Sequence, residues 1–201
     1  MSGKIVIFGG TFDPVHTGHL IMTEQAYSTF NLDRVVFMPA GDPPHKDSKQ
    51  VTDSSRRLEM LKLAISDNSH FKISEKEINQ TGESFTVDTL KFYEKKFSEC
   101  EIYFLIGADS LLDICNWKEP DYILENANLI VVGRSGFSLE NIFRDDRYRP
   151  YRNRIKIIDN FLIDISSSQI RKLCRKGGSI RYLVPENVER YIKVHNLYRS
   201  D

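Results

Sequence analysis

Two histidines three positions apart, His16 and His19, sit in the stretch Gly9-Gly10-Thr11-Phe12-Asp13-Pro14-Val15-His16-Thr17-Gly18-His19-Leu20. At that spacing on a first helical turn, both imidazoles share one face of the helix. A helix start already favours anions, because its first N–H groups are unpaired and its dipole is positive there. The chemistry expected of such a pair is phosphate binding. Histidines are more often structural, but here a Gly-Gly-Thr turn precedes the pair. Gly18 between them lets a ligand or backbone approach closely. Zinc is the rival ligand, yet no third donor stands at a sensible spacing, so no resident metal site is assigned.

Other residues extend the anion chemistry. Gly9 and Gly10 form the turn, Thr11 offers an N–H and a hydroxyl, and Phe12 is grouped with them. Ile165-Ser166-Ser167-Ser168-Gln169-Ile170-Arg171 follows a strand-like segment and opens a helix. Hydroxyls, free N–H groups and a guanidinium at one helix end suit a polyphosphate, although a serine run there also serves as a plain N-cap. Pro43-Pro44-His45-Lys46 lies in a polar loop, where Lys46 is a point charge on a flexible stem. Asp109, in Ile106-Gly107-Ala108-Asp109-Ser110-Leu111, caps a helix or meets a ligand. Trp117, the single tryptophan, belongs to the core or stacks on a flat ring.

The elements that must position these groups alternate. Strands are expected at 4–8, 34–38, 71–73, 102–106, 129–132, 155–158 and 161–163. Helices are expected at about 18–30, from a cap at Asp53 or Ser54 through 65, at 86–97, 168–176 and 186–196. The apolar run Ile102-Tyr103-Phe104-Leu105-Ile106 suits a strand covered on both faces. This alternation implies an α/β, Rossmann-like, doubly wound and mainly parallel sheet, helices on both faces, and a small C-terminal helical part at about 166–201 within one domain. Residues 134–154, rich in Arg, Asp and Tyr, read as a surface loop.

The bulk numbers exclude several classes. Length 201 fits one domain. Lys+Arg and Asp+Glu both number 28, so no basic excess points to nucleic acid. Three cysteines without a Cys-x-x-Cys argue against disulfides or zinc thiolates and for a reduced, cytoplasmic setting. Neither a signal peptide nor a membrane span is read. The absence of G-x-G-x-x-G and G-x-x-x-x-G-K-[ST] disfavours a dehydrogenase or a Walker ATPase.

The GGTFDPVHTGH segment resembles the (H/T)xGH signature of the nucleotidyltransferases related to class I aminoacyl-tRNA synthetases. With PPHK, GAD…W and ISSSQIR in order from Lys4 to Tyr198, the chain resembles the nicotinate mononucleotide adenylyltransferases. Ser168 stands where that family has Thr, and Phe85 where it has Tyr. The resemblance implies adenylyl transfer from ATP, carried with Mg²⁺, to nicotinate mononucleotide, giving deamido-NAD and pyrophosphate. It assigns His16 and His19 to catalysis. It assigns Gly9, Gly10, Thr11, Phe12, Lys46, Ser167, Ser168 and Arg171 to ATP and its phosphates. Thr86, Asp109 and Trp117 fall to the mononucleotide, with Trp117 stacked on the pyridine. The partners implied are small molecules, and a homo-oligomeric state is left open. Two alternatives stand: a phosphopantetheine adenylyltransferase or similar enzyme, and a nucleotide sensor without catalysis.

Overall fold

In the computed structural model, residues 3–41, 51–80, 82, 84–133, 142–158 and 163–199 are described. Six strands form one sheet: β1 (Lys4–Gly10), β2 (Arg34–Pro39), β3 (Phe71–Ile73), β4 (Glu101–Gly107), β5 (Asn128–Val132) and β6 (Ile155–Ile158). Their order is β3-β2-β1-β4-β5-β6, and every neighbouring pair is parallel. The helices are α1 (Thr17–Phe30), α2 (Ser54–Ile65), α3 (Thr86–Lys96), α4 (Ala108–Asp113), α5 (Pro120–Asn126), α6 (Ser167–Arg175) and α7 (Glu186–Val194).

The strands are mostly apolar because both faces are covered, and their side chains alternate between two cores. Val6, Phe8, Val35, Phe37, Leu105 and Ile130 share one core with Ala26 of α1, Met60 and Leu61 of α2, Ile170 of α6 and Val188 of α7. Ile5, Ile7, Val36, Met38, Phe104 and Val131 share the other with Leu90 of α3, Leu111 of α4 and Ile123 of α5. The order of strands reverses between β1 and β4. At such a switch point the carboxyl ends diverge and leave a crevice for a ligand.

The expected helix cap resolves to Asp53, whose Oδ1 accepts from the Ser55 N–H at 2.9 Å. The reading of 134–154 as surface loop is corrected for its described part. Arg149–Arg154 is a 3₁₀ helix, Ile142 is buried, and the Tyr148 hydroxyl donates to the Leu111 carbonyl at 2.9 Å. Two apolar side chains spaced too irregularly for a helix or strand period carry that packing. Of the strand expected at 161–163, the first two residues lie outside the described residues, and Ile163 is in no strand. Among the described residues no helix is long and apolar enough to cross a membrane.

Candidate active site

The turn between β1 and α1 is held from several sides. Phe12 adopts a left-handed backbone, φ 50°, which costs a non-glycine residue about 1–3 kcal/mol unless packing fixes it. Its ring supplies that packing, being 2% exposed, with centroids 5.3 Å from Phe8 and 5.1 Å from His19. The buried Arg57 donates to three carbonyls from three segments: Thr11 at 2.8 Å, Gly41 at 2.9 Å and Thr52 at 2.8 Å. The buried Asp13 accepts from the Tyr198 hydroxyl at 2.6 Å and the Thr52 N–H at 3.2 Å. Thr17 N–H donates to the Leu183 carbonyl at 2.9 Å. The backbone of this turn is thus fixed by the protein's own hydrogen bonds.

His16 is the N-cap of α1 and His19 its third residue, and the two cap each other. His16 Nδ1 accepts from the His19 N–H at 3.3 Å, and His19 Nδ1 accepts from the His16 N–H at 3.2 Å. The rings stack with centroids 3.5 Å apart. A Cβ on Gly18 would lie 3.1 Å from His16 Nδ1, so the close approach that this glycine permits is that of His16 itself. An accepting Nδ1 carries no proton, which assigns the neutral tautomer with its hydrogen on Nε2 to both rings. Burial enforces neutrality. It pulls His16 down to about 4, and burial and then the neighbouring His16 hold His19 well below its ordinary 6.5.

At the start of α6, Ser166 is the N-cap and forms a reciprocal box with Gln169. Of the three serines, the first therefore closes the helix end, and the next two line the cavity. Ser167 Oγ also donates to the Pro14 carbonyl at 2.9 Å, which ties α6 to the histidine turn. Arg171 donates to the Asp13 carbonyl at 2.7 Å and to Ser168 Oγ at 3.4 Å.

A cavity of about 520 Å³ opens at the carboxyl edge of the sheet, within the range of small-molecule sites. It brings together Gly9, Gly10, His16, His19, Ser167, Ser168, Thr86, Asp109 and Trp117 of the residues expected from sequence. Thr11, Phe12 and Arg171 are not among its lining. Phe12 is buried against His19, and Arg171 spans Asp13 and Ser168. Lys46 lies outside the described residues. Asp109 is in the first turn of α4 but does not cap it, since Gly107 is the N-cap and no side chain closes that helix end.

The cavity also contains groups that the sequence reading missed. Glu77 is buried on its wall, accepts from Thr89 Oγ1 at 3.0 Å, and is pushed above its usual carboxyl range by burial. Among the described residues the buried hydroxyl of Ser84 has no hydrogen-bond partner. Among the described residues no cluster of three or more His, Cys, Asp and Glu side chains is arranged for a metal ion.

The comparisons with known proteins follow the same geometry. Residues 7–173 match the cytidylyltransferase-like family. A relative from Clostridium perfringens is 42% identical over 98% of this chain and 99% of its own length, and one from Thermomicrobium roseum is 44% identical over 98% and 92%. Both are named probable nicotinate-nucleotide adenylyltransferase. The solved nicotinic acid mononucleotide adenylyltransferase of Plasmodium falciparum complexed with NaAD has the same fold, with TM-score 0.81 at 23% identity, covering 98% of this chain and 97% of that one.

Proposed function

Since the chain belongs to the nicotinate-nucleotide adenylyltransferases of the cytidylyltransferase-like family, we propose how its cavity carries their reaction. The enzyme transfers the adenylyl group of ATP to nicotinate mononucleotide, giving deamido-NAD and pyrophosphate. A phosphate oxygen of the mononucleotide attacks the α-phosphorus of ATP. The new P–O bond forms as the bond to the β-phosphate oxygen breaks, and pyrophosphate leaves with that electron pair. A phosphomonoester has a second pKa of about 6, so the nucleophile is already anionic near neutral pH and needs no general base.

The barrier is then alignment and charge, which positioned donors lower. The observation that carries this reading is the reciprocal cap of His16 and His19, which leaves two neutral Nε2–H donors at the cavity. They would donate to phosphate oxygens of ATP and strengthen those bonds as charge moves to the leaving group. Gly9, Gly10, Ser167 and Ser168 would receive the triphosphate, with Lys46 as a further cation. Thr11, Phe12 and Arg171 would act by fixing the turn, Phe12 behind His19 and Arg171 through Asp13 and Ser168. Thr86 and Trp117 would hold the pyridine and Asp109 the ribose.

Mg²⁺ would be held mainly by phosphate oxygens and water, as this ion prefers, with Asp164 a hard oxygen donor on the cavity lining. Bound, it would offset phosphate charge. The packing of Ile170, Val188 and Ile192 onto the sheet core supports reading 1–201 as one domain.

The test is pyrophosphate release with ATP and Mg²⁺, offering nicotinate mononucleotide, nicotinamide mononucleotide and phosphopantetheine in parallel. Preference for the nicotinate form is expected. Activity with phosphopantetheine alone would overturn the substrate, and none with any of the three would return the chain to the sensor alternative.

A further inference from the structure

The segment after α7 reaches back to the turn that carries the histidines. The helix itself ends in an ordinary way. Asn196 is left-handed, φ 49°, and the Leu197 N–H donates to the Ile192 carbonyl at 3.0 Å. Tyr198 is also left-handed, φ 62°, where no helix end asks for it and where a bulky side chain is rarely found. Its ring packs against the sheet core, and its hydroxyl reaches Asp13 Oδ1 at 2.6 Å across 185 positions of sequence. Burial first, and then Asp13, push the phenol above its usual range, so it stays protonated and donates.

Asp13 is where the segments that hold the turn meet. Its Oδ2 accepts from the Thr52 N–H at 3.2 Å, and its carbonyl accepts from Arg171 at 2.7 Å. Arg171 thus bonds Asp13 at the main chain and Ser168 at Oγ. Its Nε is buried with no hydrogen-bond partner among the described residues. A buried carboxyl group therefore stands near a guanidinium with an N–H to spare. A direct pair of arginine and carboxylate is the stronger bond, commonly bidentate, and would pull the guanidinium off the carbonyl and the serine. A hydroxyl on Oδ1 occupies that acceptor without adding charge. Resting on the reaction proposed above, we infer that Tyr198 is a positioning residue. Its hydroxyl satisfies the Asp13 carboxyl group, which leaves Arg171 on the main chain and on Ser168 and keeps the start of α6 aligned with the His16–His19 turn.

The experiment measures kcat and KM with ATP and nicotinate mononucleotide, together with urea midpoints, in wild type, Tyr198→Phe, Arg171→Gln, the double variant of these two, and Ile123→Val. Ile123 is buried in the opposite core, so Ile123→Val lowers stability about as much as one lost hydrogen bond without touching the turn. Tyr198→Phe keeps the ring and is expected to lower kcat roughly 10-fold, with KM for the mononucleotide within about two-fold of wild type. Ile123→Val keeps the wild-type kcat despite a similar drop in urea midpoint. In the Arg171→Gln background, Tyr198→Phe costs less than about two-fold more, because the two side chains act through one contact. A wild-type kcat in Tyr198→Phe, an equal fall in Ile123→Val, or a further loss of roughly 10-fold in the double variant overturns the inference. Wild-type protein that releases no pyrophosphate overturns the reaction itself, a result read before any variant is compared.

Discussion

The two ends of the cavity are built differently. At the end proposed for the phosphates, both histidines are locked by backbone N–H groups of their own helix turn, and that turn is pinned by Arg57, Asp13 and α6. At the end proposed for the pyridine, the groups are side chains from separate segments: Thr86 at the start of α3, Asp109 on α4, then Trp117. Backbone anchoring suits chemistry, where misplacement of about 1 Å is costly. Side-chain anchoring suits selection, because one substitution changes the ligand preference without disturbing the reacting atoms.

That contrast is broken most severely at His19. His19→Ala removes one donor and unpicks the cap of His16, so kcat should fall about 10²–10³-fold, as for loss of a transition-state donor. KM for nicotinate mononucleotide should stay within a few-fold of wild type, measured under steady state. A comparable rise in that KM would erase the distinction between the two ends.

Acid probes the same pair through stability. His16 has a folded pKa of about 4 against an ordinary 6.5, so between these values the unfolded chain binds the proton and the folded one does not. Its contribution is fully present above about pH 6.5 and is lost as pH falls toward 4. It amounts to on the order of 3 kcal/mol for His16. Urea midpoints across that window should therefore drop with falling pH, and His16→Gln should flatten the drop.

Two smaller effects separate the ends. Gly18→Ala sets a methyl 3.1 Å from His16 Nδ1 and should lower kcat roughly 10-fold by moving the ring, about 1.4 kcal/mol of transition-state stabilisation. Trp117→Ala should leave kcat nearly intact and raise KM for the mononucleotide about 5- to 10-fold, the scale of one aromatic stacking contact. If Gly18→Ala changed KM for the mononucleotide and Trp117→Ala changed kcat, the assignment of the ends would be reversed.

The same contrast explains what could be read from sequence. The phosphate end is contiguous, so glycines, histidines and serines at short spacing announce it. The strands were legible because burial on both faces makes them uninterrupted apolar runs, as at Ile102–Ile106. Groups that meet only through the tertiary fold were not legible. Tyr198 looks like any surface tyrosine until the fold brings its hydroxyl to Asp13. Arg57 carried a faint signal: it shares a helical face with Leu61 and Ala64, both buried, where a charge on an apolar stripe implies buried partners. Tyr148 had none, since its burial depends on the Leu111 carbonyl of a distant helix.

In the proposed mechanism His16 and His19 act as neutral donors oriented by mutual capping. Nitrogen-15 NMR of the imidazoles tests it most directly, with only five histidines to assign. Both rings should show the Nε2–H tautomer at pH 7 and titrate well below 6.5. A Nδ1–H tautomer in either ring, or ordinary titration near 6.5, would contradict it.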